Sequence, residues 1–263
     1  MPGGPVILAA VSARHPYLEP LAPGRPLAFA HRGGAGEGDE NTLAAFARAV
    51  ALGYRHLETD VRTTADGVAV VFHDATTDRM LGRAGRVADL SWQDLSTVRR
   101  NGATVVPRLD DLLDAWPSAY LNIDVKSPDG VVPTIKAVQR TASWDRVLLA
   151  SFHDATLRLV RAADARVATS LGRAGCVRVW AASRLGTGGR GAARRSVAAQ
   201  VPVAAVDARF IRHAQRLGLA VHVWTVNDAR TMRDLLDAGV DGIMTDHLDV
   251  LRDVYAERGA WPA

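Results

Sequence analysis

Glu58 and Asp60 stand two residues apart in the stretch His56-Leu57-Glu58-Thr59-Asp60-Val61. Side chains alternate along a strand, so an extended backbone here puts both carboxylates on one face and Leu57, Thr59 and Val61 on the other. Two carboxylates held that close repel each other unless a cation or a proton relieves them. Shortly before, Ala30-His31-Arg32-Gly33-Gly34 ends one apolar run, and shortly after, Val70-Val71-Phe72-His73-Asp74 ends another. An acid pair beside two histidines and an arginine suggests a hard metal ion with acid/base groups arranged around a phosphate.

Residues so far apart in sequence need a scaffold that brings them together. Residues 27–31 read as a short buried strand and 33–38 as a glycine-rich loop. Asn41 or Thr42 caps a helix to about Leu52, closed by Gly53. Residues 55–62 form a second strand, Asp66-Gly67 a turn, and 68–72 an extended segment ending at His73. The polar stretch 74–107, with a short helical signal at 91–98, reads as an insertion. Further strands are expected at 120–126, 146–152, 166–171, 203–206, 220–226 and 242–245, with helices between them and a last helix from His247 to about Arg258. Residues 172–200 carry the weakest pattern; four arginines and four glycines within 184–195 suggest an exposed loop. About eight strand–helix units predict an α/β fold, a (β/α)8 TIM barrel, with the whole chain 1–263 as one domain and a small insertion after the second strand. The glycine fingerprint of an open nucleotide-binding sheet is missing.

Barrel active sites form at the C-terminal ends of strands. His31 and Arg32 end the first strand, Glu58 and Asp60 the second, Asp124 and Lys126 the third, Phe152 the fourth and Trp224 the seventh. His222 shares the strand face of Trp224 and is assigned a structural role.

The bulk numbers exclude several classes. Of 263 residues, 48% are hydrophobic and 23% charged, which suits a folded soluble chain. A net charge of +4 with both signs interspersed argues against nucleic-acid binding. The single cysteine, Cys176, rules out an internal disulfide framework and reads as a small buried apolar side chain. The proline-rich residues 1–26 read as an irregular lead-in. The apolar run 6–11 has no basic residue before it, so a signal peptide is not expected. No run reaches the length of a membrane span, and a cytoplasmic protein without stable membrane insertion is expected.

In order along the chain, His31-Arg32-Gly33, Glu40-Asn41-Thr42, Glu58-Thr59-Asp60-Val61, Asp66-Gly67, His73-Asp74, Asn122-Ile123-Asp124-Val125-Lys126, Val223-Trp224-Thr225-Val226-Asn227 and the closing run from Gly239 to Asp246 resemble the glycerophosphodiester phosphodiesterase family. The resemblance covers about residues 27–251 and is weakest at 172–200. It implies a barrel with an insertion after the second strand and one divalent cation, Mg²⁺ or Ca²⁺, held by Glu58, Asp60 and Asp124. It also implies His31 and His73 as a general acid/base pair, with Arg32 and Lys126 on the phosphate; Phe152 and Trp224, from their strand-end positions, are read as walls of the substrate pocket. Two positions depart from the usual pattern: Asp39 stands where proline often precedes Glu-Asn-Thr, and Asp124 stands where glutamate is usual.

The activity this implies is metal-dependent hydrolysis of a small-molecule glycerophosphodiester to glycerol 3-phosphate and an alcohol. The alternatives are the same chemistry on lysophospholipids or phosphoinositides, and a catalytically silent barrel that binds phosphorylated ligands.

Overall fold

A computed structural model describes residues 15–22, 25–100 and 103–261. Eleven strands are present among them: β1 (Leu27–His31), β2 (His56–Thr63), β3 (Ala69–Val71), β4 (Arg99–Arg100), β5 (Ala103–Thr104), β6 (Tyr120–Val125), β7 (Val147–Ala150), β8 (Ala168–Thr169), β9 (Ala198–Pro202), β10 (Ala220–Trp224) and β11 (Gly242–Thr245). Eight of them run parallel in the spatial order β8-β7-β6-β2-β1-β11-β10-β9. A parallel bridge between Ser170 and Ala198 joins the two edges, so the sheet closes on itself as a (β/α)8 barrel.

Helices return the chain between strands, and their ends follow from local chemistry. Thr42 caps Leu43–Ala51 by accepting from the Ala45 N–H, and Asp207 and Asp228 cap Ala208–Arg216 and Ala229–Ala238 in the same way. One apolar core fills the layer between strands and helices, built on residues such as Leu57, Ile123, Leu149 and Ile243. A second lies inside the barrel around Phe29, Leu148 and Met244, and Tyr17 and Leu18 of the turn Pro16–Leu18 belong to it. Tyr17 is fully buried, edge-on to His56 and Tyr120, so this part of the lead-in is packed onto the body. The remaining residues of that lead-in, including the run 6–11, lie outside the described residues.

The expected insertion is present. β3 pairs antiparallel with β2, and residues beyond it carry the β4–β5 hairpin and the short helix Trp92–Ser96 over an apolar cluster of their own, with Val70, Phe72, Val87 and Leu95.

Two expectations fail between 172 and 206. The weakly patterned stretch 172–200 opens with the helix Arg173–Leu185, and within 184–195, expected as an exposed loop, Arg190–Ala193 is a short helix. The strand expected at 203–206 is instead β9, ending at Pro202, and Val203–Ala205 is a 3-10 turn. The reason is burial pattern. Arg173–Leu185 buries Gly175, Val179, Ala182 and Ser183 against the body while Val177 and Trp180 stand on another face, so no single apolar stripe marks it as a helix. Ala198 and Ala199 in β9 are small, and the β-branched Val203 and Val206 outside it imitate a strand. Among the described residues, no helix is long and apolar enough to cross a membrane.

Candidate active site

Register decides which side chains meet at the barrel mouth. His31 lies opposite Glu58 across β1 and β2, Glu58 opposite Asn122 across β2 and β6, and Asp60 opposite Asp124 one step further along. Parallel pairing keeps partners on the same face, so the alternation in β2 and in β6 delivers three carboxylates to one place. The result is a cavity of about 750 Å³ lined by His31, Arg32, Glu58, Asp60, His73, Asp124, Lys126, Phe152 and Trp224, every residue that the sequence assigned to the site.

The two histidines are held alike. His31 Nδ1 lies 2.6 Å from Asp246 Oδ1, and His73 Nδ1 lies 2.7 Å from Asp74 Oδ1. A carboxylate at Nδ1 fixes the ring and leaves Nε2 as the nitrogen free to exchange a proton. His31 Nε2 is 3.7 Å from Glu58. Burial alone would lower the His31 pKa, but the negative charges of Glu58 and Asp246 outweigh it and hold the imidazole above its ordinary value. Asn227 secures Asp246 from behind, its Nδ2 donating to Oδ2 at 2.9 Å while its Oδ1 accepts from the Asp246 N–H.

The carboxylates are nearly sealed from solvent: Glu58, Asp60 and Asp124 are 6%, 2% and 7% exposed, so their charges are felt almost undiluted. Burial, helped by Asp60, raises the Glu58 pKa, and burial raises that of Asp124. For Asp60 the charges of Lys126 and Arg32 overcome burial and lower it. Lys126 Nζ sits 2.6 Å from both Asp60 Oδ1 and Asp124 Oδ2. Asn41 donates to Asp60 at 2.8 Å and accepts from Thr59, tying the loop after β1 to β2. That loop turns through left-handed backbone at Arg32, Gly33 and Gly34, and a Cβ on Gly33 would come within 2.9 Å of Ala45. Arg32 reaches Asp60 at 3.3 Å and Glu40 at 3.1 Å, and its N–H donates to Glu58.

As the side chains are placed, no three His, Cys, Asp or Glu among the described residues are close enough to share a metal ion. The donor set nonetheless fits one. Three buried carboxylates face two cations, Arg32 is shared with Glu40, and Asp124 Oδ1 is buried with no hydrogen-bond partner. Oxygen donors left in that condition suit Mg²⁺ or Ca²⁺.

Several functional groups escaped the sequence reading. Asp74 and Asp246 stand inside quoted motifs, but nothing in their spacing says that each meets a histidine. Arg79, in the insertion, donates to Asp74 at 2.6 Å and grips Glu40 with both terminal nitrogens, so His73, Asp74, Arg79, Glu40 and Arg32 form one continuous chain of contacts. No sequence signal announces that contact. Asp39, at the atypical position before Glu40, pairs with Arg48 of the following helix and so anchors the loop that a proline would otherwise stiffen. Phe152 and Trp224 meet edge to face at 5.5 Å on the outer wall, and His222 is fully buried in the barrel beneath them.

Fold and site together define a (β/α)8 barrel whose mouth joins two acid-backed imidazoles to a buried cluster of carboxylates and cations. The glycerophosphoryl diester phosphodiesterase family matches residues 31–250, and the chain belongs to that family. It is 37% identical over 257 residues to the "Probable glycerophosphodiester phosphodiesterase 2" of Mycobacterium tuberculosis, covering 94% of this chain and 97% of that protein. A solved structure from Silicibacter pomeroyi is similar with a TM-score of 0.79 at 26% identity, covering 94% of this chain and 100% of its own. An Oleispira antarctica phosphodiesterase, solved in complex with sn-glycerol-3-phosphate, shares the fold with a TM-score of 0.74 at 20% identity, over 88% of this chain and 97% of its own.

Proposed function

We propose that this protein hydrolyses glycerophosphodiesters to glycerol 3-phosphate and an alcohol, using His31 and His73 as a general acid/base pair. The observation that carries the reading is the matched arrangement of two histidines in one cavity, each with a carboxylate within 2.7 Å of Nδ1. Cleaving a phosphodiester needs a proton taken from the attacking oxygen and one given to the departing alcohol, and a pair of imidazoles can serve both needs.

Glu58, Asp60 and Asp124 would hold one divalent cation. Bound there, Mg²⁺ or Ca²⁺ supplies positive charge beside the phosphoryl oxygens, where charge builds as the leaving oxygen departs. Arg32 and Lys126 line the same cavity and are the cations available to the remaining phosphate oxygens. Phe152 and Trp224 present an apolar wall to the substrate's carbon atoms.

Purified protein incubated with glycerophosphocholine, with Mg²⁺ or Ca²⁺ and with or without chelator, tests this directly. Metal-dependent release of choline and glycerol 3-phosphate is expected, with His31→Ala and His73→Ala each losing about 10²–10⁴-fold in kcat. Turnover that survives chelation contradicts the metal role. Calorimetry should show divalent-ion binding that Asp60→Asn weakens, a readout independent of turnover.

A further inference from the structure

Arg32, Lys126 and Arg173 are the arginine and lysine side chains that line the cavity. The first two are held by acids: Arg32 lies 3.1 Å from Glu40 and 3.3 Å from Asp60, and Lys126 lies 2.6 Å from both Asp60 and Asp124. Arg173 is different. It is exposed, and among the described residues its guanidinium pairs with no carboxylate and makes no hydrogen bond. The wall it shares with Phe152, Trp180 and Gln200 contributes no acid to the cavity.

Its backbone is fixed although its side chain is free. The Arg173 N–H donates to the Phe152 carbonyl at 3.3 Å, and Asp154 accepts from the next two N–H groups, Ala174 at 2.9 Å and Gly175 at 3.3 Å. Asp154 thus has both carboxylate oxygens on backbone donors. Gly172 runs so close to that carboxyl that a Cβ there would come within 2.8 Å of it. The start of the helix Arg173–Leu185 is therefore pinned, and the guanidinium is carried at the mouth by a rigid frame. The neighbouring Arg184, paired with Asp207 at 2.8 Å, lies 4.1 Å over the Trp180 ring, so that aromatic face already carries a cation. A cationic headgroup on this wall would meet like charge. An oxyanion would find a planar fork of donors with no other partner.

Resting on the function proposed above, we infer that Arg173 binds an oxyanion on the alcohol half of the substrate, so the favoured diesters are those whose leaving alcohol carries an anionic group, in the simplest case a carboxylate. The assignment to the alcohol half follows from charge. Glycerol offers only hydroxyls, and the diester phosphate lies with Arg32 and Lys126, the cations of the carboxylate cluster.

The test is a competition between two diesters of equal size, glycerophospho-3-hydroxypropionate and its amide, present at equal concentration. The two alcohols released are measured together, and their ratio is the ratio of kcat/KM. For an ion pair this exposed, the acid should be favoured about two- to fivefold. Arg173→Gln should bring the ratio to about one, and Arg173→Glu should take it below one. A ratio near one in the unmodified protein overturns the assignment and leaves the proposed function standing. So does a preference that Arg173→Gln leaves intact, including the case in which both rates fall together, which would put Arg173 on the shared glycerol phosphate. If neither diester nor glycerophosphocholine is cleaved, the proposed function fails and the assignment with it.

Discussion

Asp246→Asn should be one of the most damaging single-atom changes in this protein, although Asp246 belongs to neither the carboxylate cluster nor the histidine pair. Its Oδ1 lies 2.6 Å from His31 Nδ1, and its Oδ2 accepts from Asn227 Nδ2 at 2.9 Å. A carboxylate can accept on both sides; an amide cannot. If the new side chain keeps its oxygen toward Asn227, its NH2 faces His31 Nδ1 and forces that nitrogen to be the acceptor. Nε2 then carries the proton in the neutral ring, the wrong tautomer for a base. If the amide turns over, two NH2 groups confront each other at the Asn227 contact. Either way one of the two contacts is lost.

The magnitude follows from the bond removed. His31 and Asp246 have side-chain exposures of 15% and 21%, so the pair is only partly screened by water. A hydrogen bond to a charged group is worth about 1.5–3 kcal/mol, which at 1.36 kcal/mol per tenfold is about 10- to 150-fold in kcat. Asp246→Ala removes the same bond but imposes no tautomer, so it should cost less than the asparagine. Saturating glycerophosphocholine turnover, measured with circular dichroism to confirm folding, decides the matter. An asparagine variant that keeps more than a third of the kcat, or an alanine variant worse than the asparagine, would refute the tautomer argument.

Arg79→Met cuts the chain that joins Asp74 to Glu40, and since the Arg79 side chain is half exposed the expected loss in kcat/KM is modest, about three- to tenfold. Arg79→Lys should restore it only in part, because an ammonium cannot match the forked contact with Glu40. Gly33→Ala forces a Cβ onto Ala45 and the Phe46 backbone at a φ of +81°, and should cost about 1–3 kcal/mol, read as a fall of several degrees in melting temperature. His222, fully buried, has its pKa lowered by burial to about 3. The unfolded chain therefore binds a proton near 6.5 that the folded chain refuses, and stability is lost as pH falls from about 6.5 toward 3. Between pH 7 and 5 that amounts to about 2 kcal/mol. Urea unfolding of His222→Phe should show a pH dependence flatter by that amount; an unaltered slope would mean that His222 does not carry it.

How much of this was readable in the sequence depended on whether the information was periodic. Glu58 and Asp60 on one strand, and Asp124 and Lys126 on another, are two residues apart, and alternation alone aims each pair at the mouth. Their meeting across β2 and β6 needed only the barrel count. Contacts made by loops and by the insertion carry no such period. Arg79 reaches Glu40 from 39 positions away and Asp246 reaches His31 from 215, and nothing in either local stretch encodes the partner. The helix Arg173–Leu185 was missed for a related reason: with one face on the body and another on the cavity, its apolar residues do not form the single stripe that periodicity detects.

That second face also bears on how the mouth divides its labour. On one side, three buried carboxylates and two cations leave an acidic cluster into which a phosphodiester, itself an anion, would enter at an electrostatic cost. A divalent cation changes the sign of that cost, which is why the carboxylate cluster supports the metal proposal better than any one distance does. On the other side, Val177 and Trp180 expose apolar surface, with the Arg184 guanidinium lying 4.1 Å over the Trp180 ring. The two sides of the mouth thus differ in character, one charged and the other largely apolar. Raising ionic strength should therefore weaken glycerophosphocholine turnover, since the substrate's anionic phosphate is drawn in by charge. A turnover indifferent to ionic strength would place substrate capture outside the charged cluster.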